Sequence, residues 1–326
     1  MRPHVQVLVT GCTGYLGRAI VEALTRSGHA VIAFSRSAST SGLPATAIDG
    51  DIRDAAAVAK AAHHCDAIIH SAALVAVWRR NAQEFDDINV GGLINVLEAA
   101  RQHGTPRIVY TSSFLALPPA GASGTSSWND YQRTKVVASR VADRAVLDGA
   151  PLIRLYPGVI YGPGKMTDGN LLGKMIATHL AGRLPGLVGA DGIWSYAYID
   201  DVAAGHVAAV ERGQAGGRYF LGGENAPQMR AFEVVREITG RPLPRRLPRW
   251  LASSVALVDE LRATWLGATP QLTTGTLEIL FHDWPLDSTR AEQELGYRVT
   301  PLREGIANIV SRLAADRTAA QEAPAS

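Results

Sequence analysis

Tyr131 and Lys135 stand four residues apart in Asp130-Tyr131-Gln132-Arg133-Thr134-Lys135-Val136-Val137, inside a stretch that reads as a helix. At i and i+4 they project from one helix face, so a phenol and an ammonium can address the same bound molecule. A free phenol has a pKa of about 10, too high to exchange protons readily near neutrality, and an adjacent positive charge favours the phenolate. The spacing therefore lets Lys135 bring the phenol toward the range in which it could exchange protons. Upstream, the serine pair Ser112-Ser113 closes an apolar, strand-like run.

Near the N-terminus, Gly11-Cys12-Thr13-Gly14-Tyr15-Leu16-Gly17 follows the apolar run Val5-Gln6-Val7-Leu8-Val9 and opens a helical pattern. A strand that ends, turns tightly and starts a helix aims free backbone N–H groups and the positive end of the helix dipole at one point, where a pyrophosphate can sit. Side chains there would block the approach, and glycine removes them. The spacing is G-x-x-G-x-x-G, and it predicts a dinucleotide cradle.

These groups need a scaffold. Strand-like runs at Val5 to Thr10, Ala30 to Ser35, Ala45 to Ile48, Ala67 to His70, Arg107 to Ser112 and Leu152 to Tyr156 alternate with helical patterns at Gly14 to Ser27, Ala55 to Ala62, Gln83 to His103 and Asn129 to Asp148. The runs are rich in Val and Ile with little polar alternation, as in a parallel sheet covered on both faces. After Pro157 the texture changes to Gly-Pro loops and then a helical segment, Asn170 to Ala181, where a second lobe is expected to begin. Asp200 to Glu211 reads as a helix returning to the sheet, so the lobes interleave. The expected division is residues 1–157 with 194–215 for the dinucleotide domain, 158–193 and 216–313 for the substrate lobe, and a frayed tail at 314–326. An apolar helical face from Pro248 to Leu266, with Trp250, Leu251, Val255, Leu257, Val258, Leu261, Trp265 and Leu266 and interrupted by Asp259-Glu260 and Arg262, is expected in the core, the wall of an apolar pocket being the other reading.

The composition closes several function classes. A chain of 326 residues with formal net charge +2 and scattered cations carries no electrostatic footprint for nucleic acid. The basic cluster from Arg241 to Arg249 is broken by prolines and reads as a solvated connector. Cys12 and Cys65 supply neither a disulfide framework nor zinc-site spacing, which fits a reducing cytoplasm. The N-terminus enters a strand directly, so no signal peptide is expected. No apolar run approaches the ~20 residues of a membrane span, leaving at most peripheral contact with a membrane.

With the glycine loop, the serines and the Tyr131/Lys135 pair in this order, the chain resembles the short-chain dehydrogenase/reductase superfamily over nearly its whole length. Its length and later motifs resemble the extended branch, the NAD-dependent epimerase/dehydratase superfamily. Trp194-Ser195-Tyr196-Ala197-Tyr198-Ile199-Asp200-Asp201-Val202 and Gly182-Arg183-Leu184-Pro185-Gly186 look most like the dihydroflavonol-4-reductase-like and farnesol-dehydrogenase-like members. The resemblance implies an α/β fold, a Rossmann-type doubly wound parallel sheet with a smaller, interleaved C-terminal substrate-binding lobe. It gives Tyr131 the acid/base role, Lys135 a bond to the nicotinamide ribose, Ser113 the orientation of the substrate oxygen, and Asn89 the bracing of the active-site helix. Gly11, Thr13, Gly14, Tyr15, Leu16 and Gly17 would form the phosphate turn, and Asp51 and Ile52 match the adenine-binding pair. Ala72 and Ala73 would line the ribose, and Tyr156, Pro157 and Val159 the nicotinamide, while His70 ends a strand in the sheet interior. A homodimer built through a helix pair is frequent in the family.

Cofactor choice turns on the end of the second strand, where a carboxylate would bond the 2'-hydroxyl of NAD and a cation the 2'-phosphate of NADP. Ser35-Arg36 stands there, so NADP is expected, with NAD as the alternative. Dehydratases of the branch commonly carry Asp-Glu after the catalytic hydroxyl, where this chain has Phe114-Leu115; epimerases usually carry Val-Tyr-Gly, where it has Ala116-Leu117-Pro118. The implied reaction is hydride transfer to or from a hydrophobic alcohol, ketone or aldehyde of isoprenoid, steroid or flavonoid-like character. Nucleotide-sugar epimerisation is the alternative, and a non-catalytic dinucleotide sensor, which would typically lose the tyrosine or lysine, comes last.

Overall fold

The computed structural model describes residues 4–322. Its strands are β1 (Gln6–Thr10), β2 (Ala30–Ser35), β3 (Thr46–Asp49), β4 (Ala67–His70), β5 (Ile108–Thr111), β6 (Leu152–Pro157), β7 (Val159–Tyr161), β8 (Ile193–Tyr198), β9 (Arg218–Leu221) and β10 (Glu224–Pro227). The helices are α1 (Tyr15–Arg26), α2 (Ala55–Ala62), α3 (Gln83–Asp86), α4 (Gly92–His103), α5 (Asp130–Leu147), α6 (Leu171–Leu180), α7 (Ile199–Arg212), α8 (Gln228–Thr239), α9 (Arg249–Leu266), α10 (Thr274–Phe281), α11 (Thr289–Leu295) and α12 (Leu302–Glu322).

Seven strands form one sheet in the order β3-β2-β1-β4-β5-β6-β9, with every pairing parallel. Both faces are covered, which is why its strands read as unbroken apolar runs. Val7 and Val9 point into a core shared with Ile20 and Leu24 of α1 and Val202 of α7. Leu8, between them, points the other way, into a core with Val58, Leu93, Val96 and Ala138. A three-stranded sheet, β10-β8-β7, anchors the smaller lobe, whose core gathers Tyr161, Ile176, Trp194, Tyr196, Val235, Ile306 and Ile309.

The two sheets draw on alternating segments of the chain. Strand β8 belongs to the small sheet, and β9 joins the large one beside β6. Leu295 of α11 also packs into the core of the large sheet. Four-residue strands such as β9 carry too little periodicity to be read before their pairing is known.

The stretch from Gln83 to His103 is not one regular helix: Asp87–Gly91 forms a π turn between α3 and α4. Helix α12 runs through Ala314 as far as Glu322, where a frayed tail is expected, and residues 323–326 lie outside the described residues. Helix α9 is not core either. It buries Ala252, Ala256 and Ala263 and leaves its large apolar side chains exposed.

Candidate active site

The order of the large sheet reverses at β1, with β2 on one side and β4 on the other, so a crevice opens at the carboxyl ends of β1 and β4. Gly11 lines it with φ +74°, and a Cβ there would lie 2.6 Å from Ala72 Cα, inside the chain that leaves β4. A Cβ on Gly17 would fall 2.1 Å from the Gly11 carbonyl oxygen. Only glycine permits both approaches. Gly14 caps α1 without any side-chain hydrogen bond, so the first N–H groups of that helix remain available to an anion. This cradle fits the pyrophosphate of a dinucleotide. Cys12 is buried, Thr13 and Leu16 are half-buried, and the Tyr15 ring turns away to pack against Gly162 and Gly164.

The two strand ends are pinned together. Thr10 Oγ1 is hydrogen-bonded to His70 Nδ1 at 2.8 Å, and Ser71 Oγ donates to the Thr10 carbonyl at 2.7 Å. Burial, helped by the charge of Lys135, pushes His70 down to about 3, so its ring stays neutral and serves the fold. This places Ala72 and Ala73 beside the glycine loop.

At the far end of the crevice, Arg36 is exposed just past β2. Asp51 faces Arg53, which grips its carboxylate at 2.7 and 3.0 Å and holds it down at about 2. Ile52 is buried, and its carbonyl accepts from Asn95 Nδ2 at 2.9 Å. Sequence reasoning finds no acid at the end of the second strand, yet Asp49 on β3 pairs in register with Ser35. Its carboxylate accepts from Ser39 N at 2.9 Å and Ser39 Oγ at 2.5 Å, donors that hold it below the usual range. Only the parallel pairing of β2 with β3 could have revealed it.

Ser113, Tyr131 and Lys135 meet at the carboxyl end of β5. The cap of α5 is Asn129, whose side chain accepts from Gln132 N at 2.8 Å, so the helix begins at Asp130. Lys135 is 3% exposed, its Nζ 5.8 Å from the Tyr131 ring centroid and 3.4 Å from the Thr111 carbonyl it donates to. Burial draws its ammonium down to about 8. Burial also pushes the Tyr131 phenol up to about 12, while the Ser113 hydroxyl, within hydrogen-bonding reach, opposes the rise. The lowering expected from Lys135 is not what governs Tyr131 in this structure; removal of the phenol from water is, with the Ser113 hydroxyl opposing it. Ser113 is buried, and its Oγ accepts from Leu115 N at 3.2 Å.

Asn89 lies in the π turn, 3% exposed, and its amide spans two elements. Oδ1 accepts from Leu74 N at 2.7 Å, and Nδ2 donates to Thr134 Oγ1 at 3.0 Å. Thr111, the last residue of β5, is held by His206 of α7: Nδ1–H donates to the Val202 carbonyl at 2.8 Å, leaving Nε2 to accept from Thr111 Oγ1 at 2.8 Å. His206 escapes sequence reasoning, since nothing in its local pattern marks it.

Beyond the phenol the surroundings are aromatic. Phe114 meets Trp284 edge-to-face at 5.4 Å, Trp128 meets Trp284 at 6.2 Å, and His282 lies 4.4 Å from Trp128. Phe114, Leu117, Trp284 and Leu286 line one pocket; Leu172, Met175, Trp194, Tyr196 and Phe232 line another deeper in the lobe. Trp284 and His282 come from a loop more than 150 positions away from Phe114 and Trp128 in the chain and could not be placed beforehand. Pro157 and Val159 sit at the end of β6 and the start of β7. The Tyr156 side chain points elsewhere, its hydroxyl bonded to Ser139 Oγ at 2.9 Å, so only its backbone borders the crevice.

A model of the NAD dependent epimerase/dehydratase family matches residues 7–222. Sterol demethylase protein B of Methylococcus capsulatus is 32% identical over 321 residues, covering 93% of this chain and 97% of that protein. The 3 beta-hydroxysteroid dehydrogenase/Delta 5-->4-isomerase of Mycobacterium tuberculosis is 30% identical over 326 residues, covering 90% of this chain and 85% of that one. Among solved structures, the UDP-glucose-4-epimerase of Stenotrophomonas maltophila with bound NAD superposes with TM-score 0.75 at 23% identity, covering 97% of this chain and 100% of that one, a likeness of fold.

Proposed function

The chain belongs to the NAD dependent epimerase/dehydratase family, and from that premise we propose that it is an oxidoreductase of apolar alcohols and carbonyls, steroid-like or isoprenoid-like in shape, with NADP preferred. One observation carries this reading: the buried Ser113 and Lys135 and the half-buried Tyr131 converge beside Phe114, Trp128 and Trp284, an apolar wall. The relatives named for sterol and steroid chemistry support the same class.

Gly11, Gly14 and Gly17 with the N-terminus of α1 would hold the pyrophosphate, and Lys135 the nicotinamide ribose. The nicotinamide, when bound, supplies or accepts the hydride. Tyr131 keeps its proton near neutrality because burial holds the phenol at about 12, so it is set to donate from Oη to the substrate oxygen as a carbonyl is reduced. In the reverse direction the same oxygen takes the proton back. Ser113 Oγ orients that substrate oxygen, and Asn89 keeps α5 in place through Thr134. Arg36, exposed at the end of β2, is the group placed to meet a 2'-phosphate, while Asp49 is engaged by Ser39.

The test is NADPH and NADH oxidation across steroid, isoprenoid and flavonoid-like carbonyls. Turnover of these with no epimerisation of UDP-sugars supports the reading, and the opposite pattern replaces it with the nucleotide-sugar alternative.

A further inference from the structure

Helix α9 turns its sequence inside out. Ala252, Ala256 and Ala263 are buried against the protein, the first two packing toward Leu277 of α10. Trp250 (70% exposed), Leu257, Val258, Leu261, Trp265 (80%) and Leu266 (76%) face water. At 100° per residue the three alanines fall within one narrow stripe, and Trp250, Leu261 and Trp265 lie nearly opposite it. So many large apolar side chains on one exposed face mark an interaction surface. The helix's two acids are turned away from that face. Asp259 Oδ2 accepts from Gln271 N at 3.1 Å, and Glu260 Oε1 accepts from Thr274 N and Thr274 Oγ1 at 2.8 and 2.9 Å.

Cations bracket the apolar face at both ends. Arg241, Arg245, Arg246 and Arg249 are exposed in the segment leading into α9, where Arg246 pairs with Asp191 and Arg249 with Glu278. Arg241 and Arg245 have no acidic partner among the described residues. At the other end, a Cβ on Gly267 would lie 2.8 Å from the Arg80 guanidinium, which stands beside exposed Arg79. A tryptophan near each end, about 22 Å apart along the axis, is the arrangement that seats a helix at the level of lipid headgroups.

We propose that α9 is an interfacial helix that docks the protein on an anionic lipid surface, apolar face inserted and arginines on the headgroups. No described helix is long and apolar enough to cross a membrane, so the helix lies in the surface rather than spanning it. A second copy of the chain is a poor occupant. Whichever way two α9 helices align about a two-fold axis, an arginine-bearing end meets an arginine-bearing end, and like charges facing each other disfavour the pairing.

The experiment is vesicle flotation of the full chain, using equimolar phosphatidylglycerol and phosphatidylcholine against phosphatidylcholine alone, with sedimentation velocity alongside. The wild-type protein is expected to float with the anionic vesicles, to release as salt rises, and to sediment as the same species as Trp250→Ser/Trp265→Ser. That variant should lose at least about tenfold in partitioning. Arg245→Glu/Arg80→Glu, which touches no core residue, should lose more than about tenfold, on the order of fivefold for each cation removed. It keeps the test alive if the tryptophan variant folds poorly, and both should keep turnover of a water-soluble substrate. Equal binding to neutral vesicles overturns the proposal, as does failure to float. A wild-type dimer that the tryptophan changes dissolve, without vesicle binding, gives the face to a second copy.

Discussion

Asn89 and Thr134, 45 residues apart in sequence, are joined by a 3.0 Å hydrogen bond that ties the π turn to the helix bearing Tyr131 and Lys135. The same amide holds Leu74 from both sides, accepting its N–H at 2.7 Å and reaching its carbonyl at 3.3 Å. A regular helix advances each residue by 100°, and the wider π turn resets the phase so that one amide can reach a loop and a helix together.

Replacing Asn89 with Ala leaves the Leu74 N–H without its acceptor and should lower stability by about 1–3 kcal/mol. Because α5 is then held less firmly, kcat should fall by about tenfold or more with a smaller change in KM for cofactor. Urea unfolding and steady-state kinetics measure the two effects. A stability loss with full kcat would confine Asn89 to the fold.

Tyr131→Phe removes the transferable proton and almost no volume. Turnover should drop by about two to four orders of magnitude, while cofactor affinity, followed by fluorescence titration, stays within a few-fold. Retention of most of the wild-type rate with a good substrate removes Tyr131 from the acid/base role.

Lys135 makes stability depend on pH in a definite direction. Its ammonium ionises at about 8 in the fold, below the ordinary lysine value of 10.5, because it is buried. The charged form is the disfavoured one, so the cost is complete below pH 8 and disappears as pH rises toward 10.5. Lys135→Met should therefore be inactive yet more stable than wild type at neutral pH, by up to about 3 kcal/mol. The gap should narrow between pH 8 and 10.5. Denaturant titrations of both proteins across that range provide the check, and a gap that widens with pH contradicts the burial argument.

How much of this is legible beforehand depends on how local the signal is. The glycine cradle is, because Gly17 answers to the Gly11 carbonyl within the same strand-turn-helix, although the Ala72 backbone that crowds Gly11 arrives only when β4 pairs with β1. Asn89 is named from its position in a motif, but its partner Thr134 and the π turn that aims it arise only when α3, α4 and α5 pack together. Asp49 is invisible until β2 and β3 pair. Trp284 reaches Phe114 only through tertiary folding. Helix α9 shows the reverse failure. Its apolar pattern is plain, but periodicity measures amphipathicity and cannot tell whether the apolar or the small-residue face turns inward.

Arg36 should govern cofactor choice. Arg36→Ala is expected to raise KM for NADPH by about tenfold or more and to leave KM for NADH nearly unchanged, since only NADPH presents a phosphate to a guanidinium. Asp49→Asn, by removing a negative charge beside the same strand end, should shift preference further toward NADPH. Equal losses for both cofactors in the arginine variant would mean that Arg36 stacks on the adenine and does not select.

The aromatic wall makes a quantitative demand on the substrate. If Phe114, Trp128 and Trp284 enclose the part of the substrate beyond the reacting carbon, each added methylene should raise kcat/KM by up to about fourfold, the equivalent of about 0.8 kcal/mol, until the pocket is full. A homologous series of ketones, assayed by NADPH oxidation, gives the slope. Phe114→Ala opens the wall and should flatten it without abolishing turnover of the shortest member, because Ser113, Tyr131 and Lys135 remain in place. Trp194 and Tyr196 line the deeper pocket, so their truncation should affect only the longest substrates. UDP-glucose and UDP-galactose, run beside the series, should be inert. Rapid epimerisation of either, with a flat response to chain length, would transfer the protein to the nucleotide-sugar class.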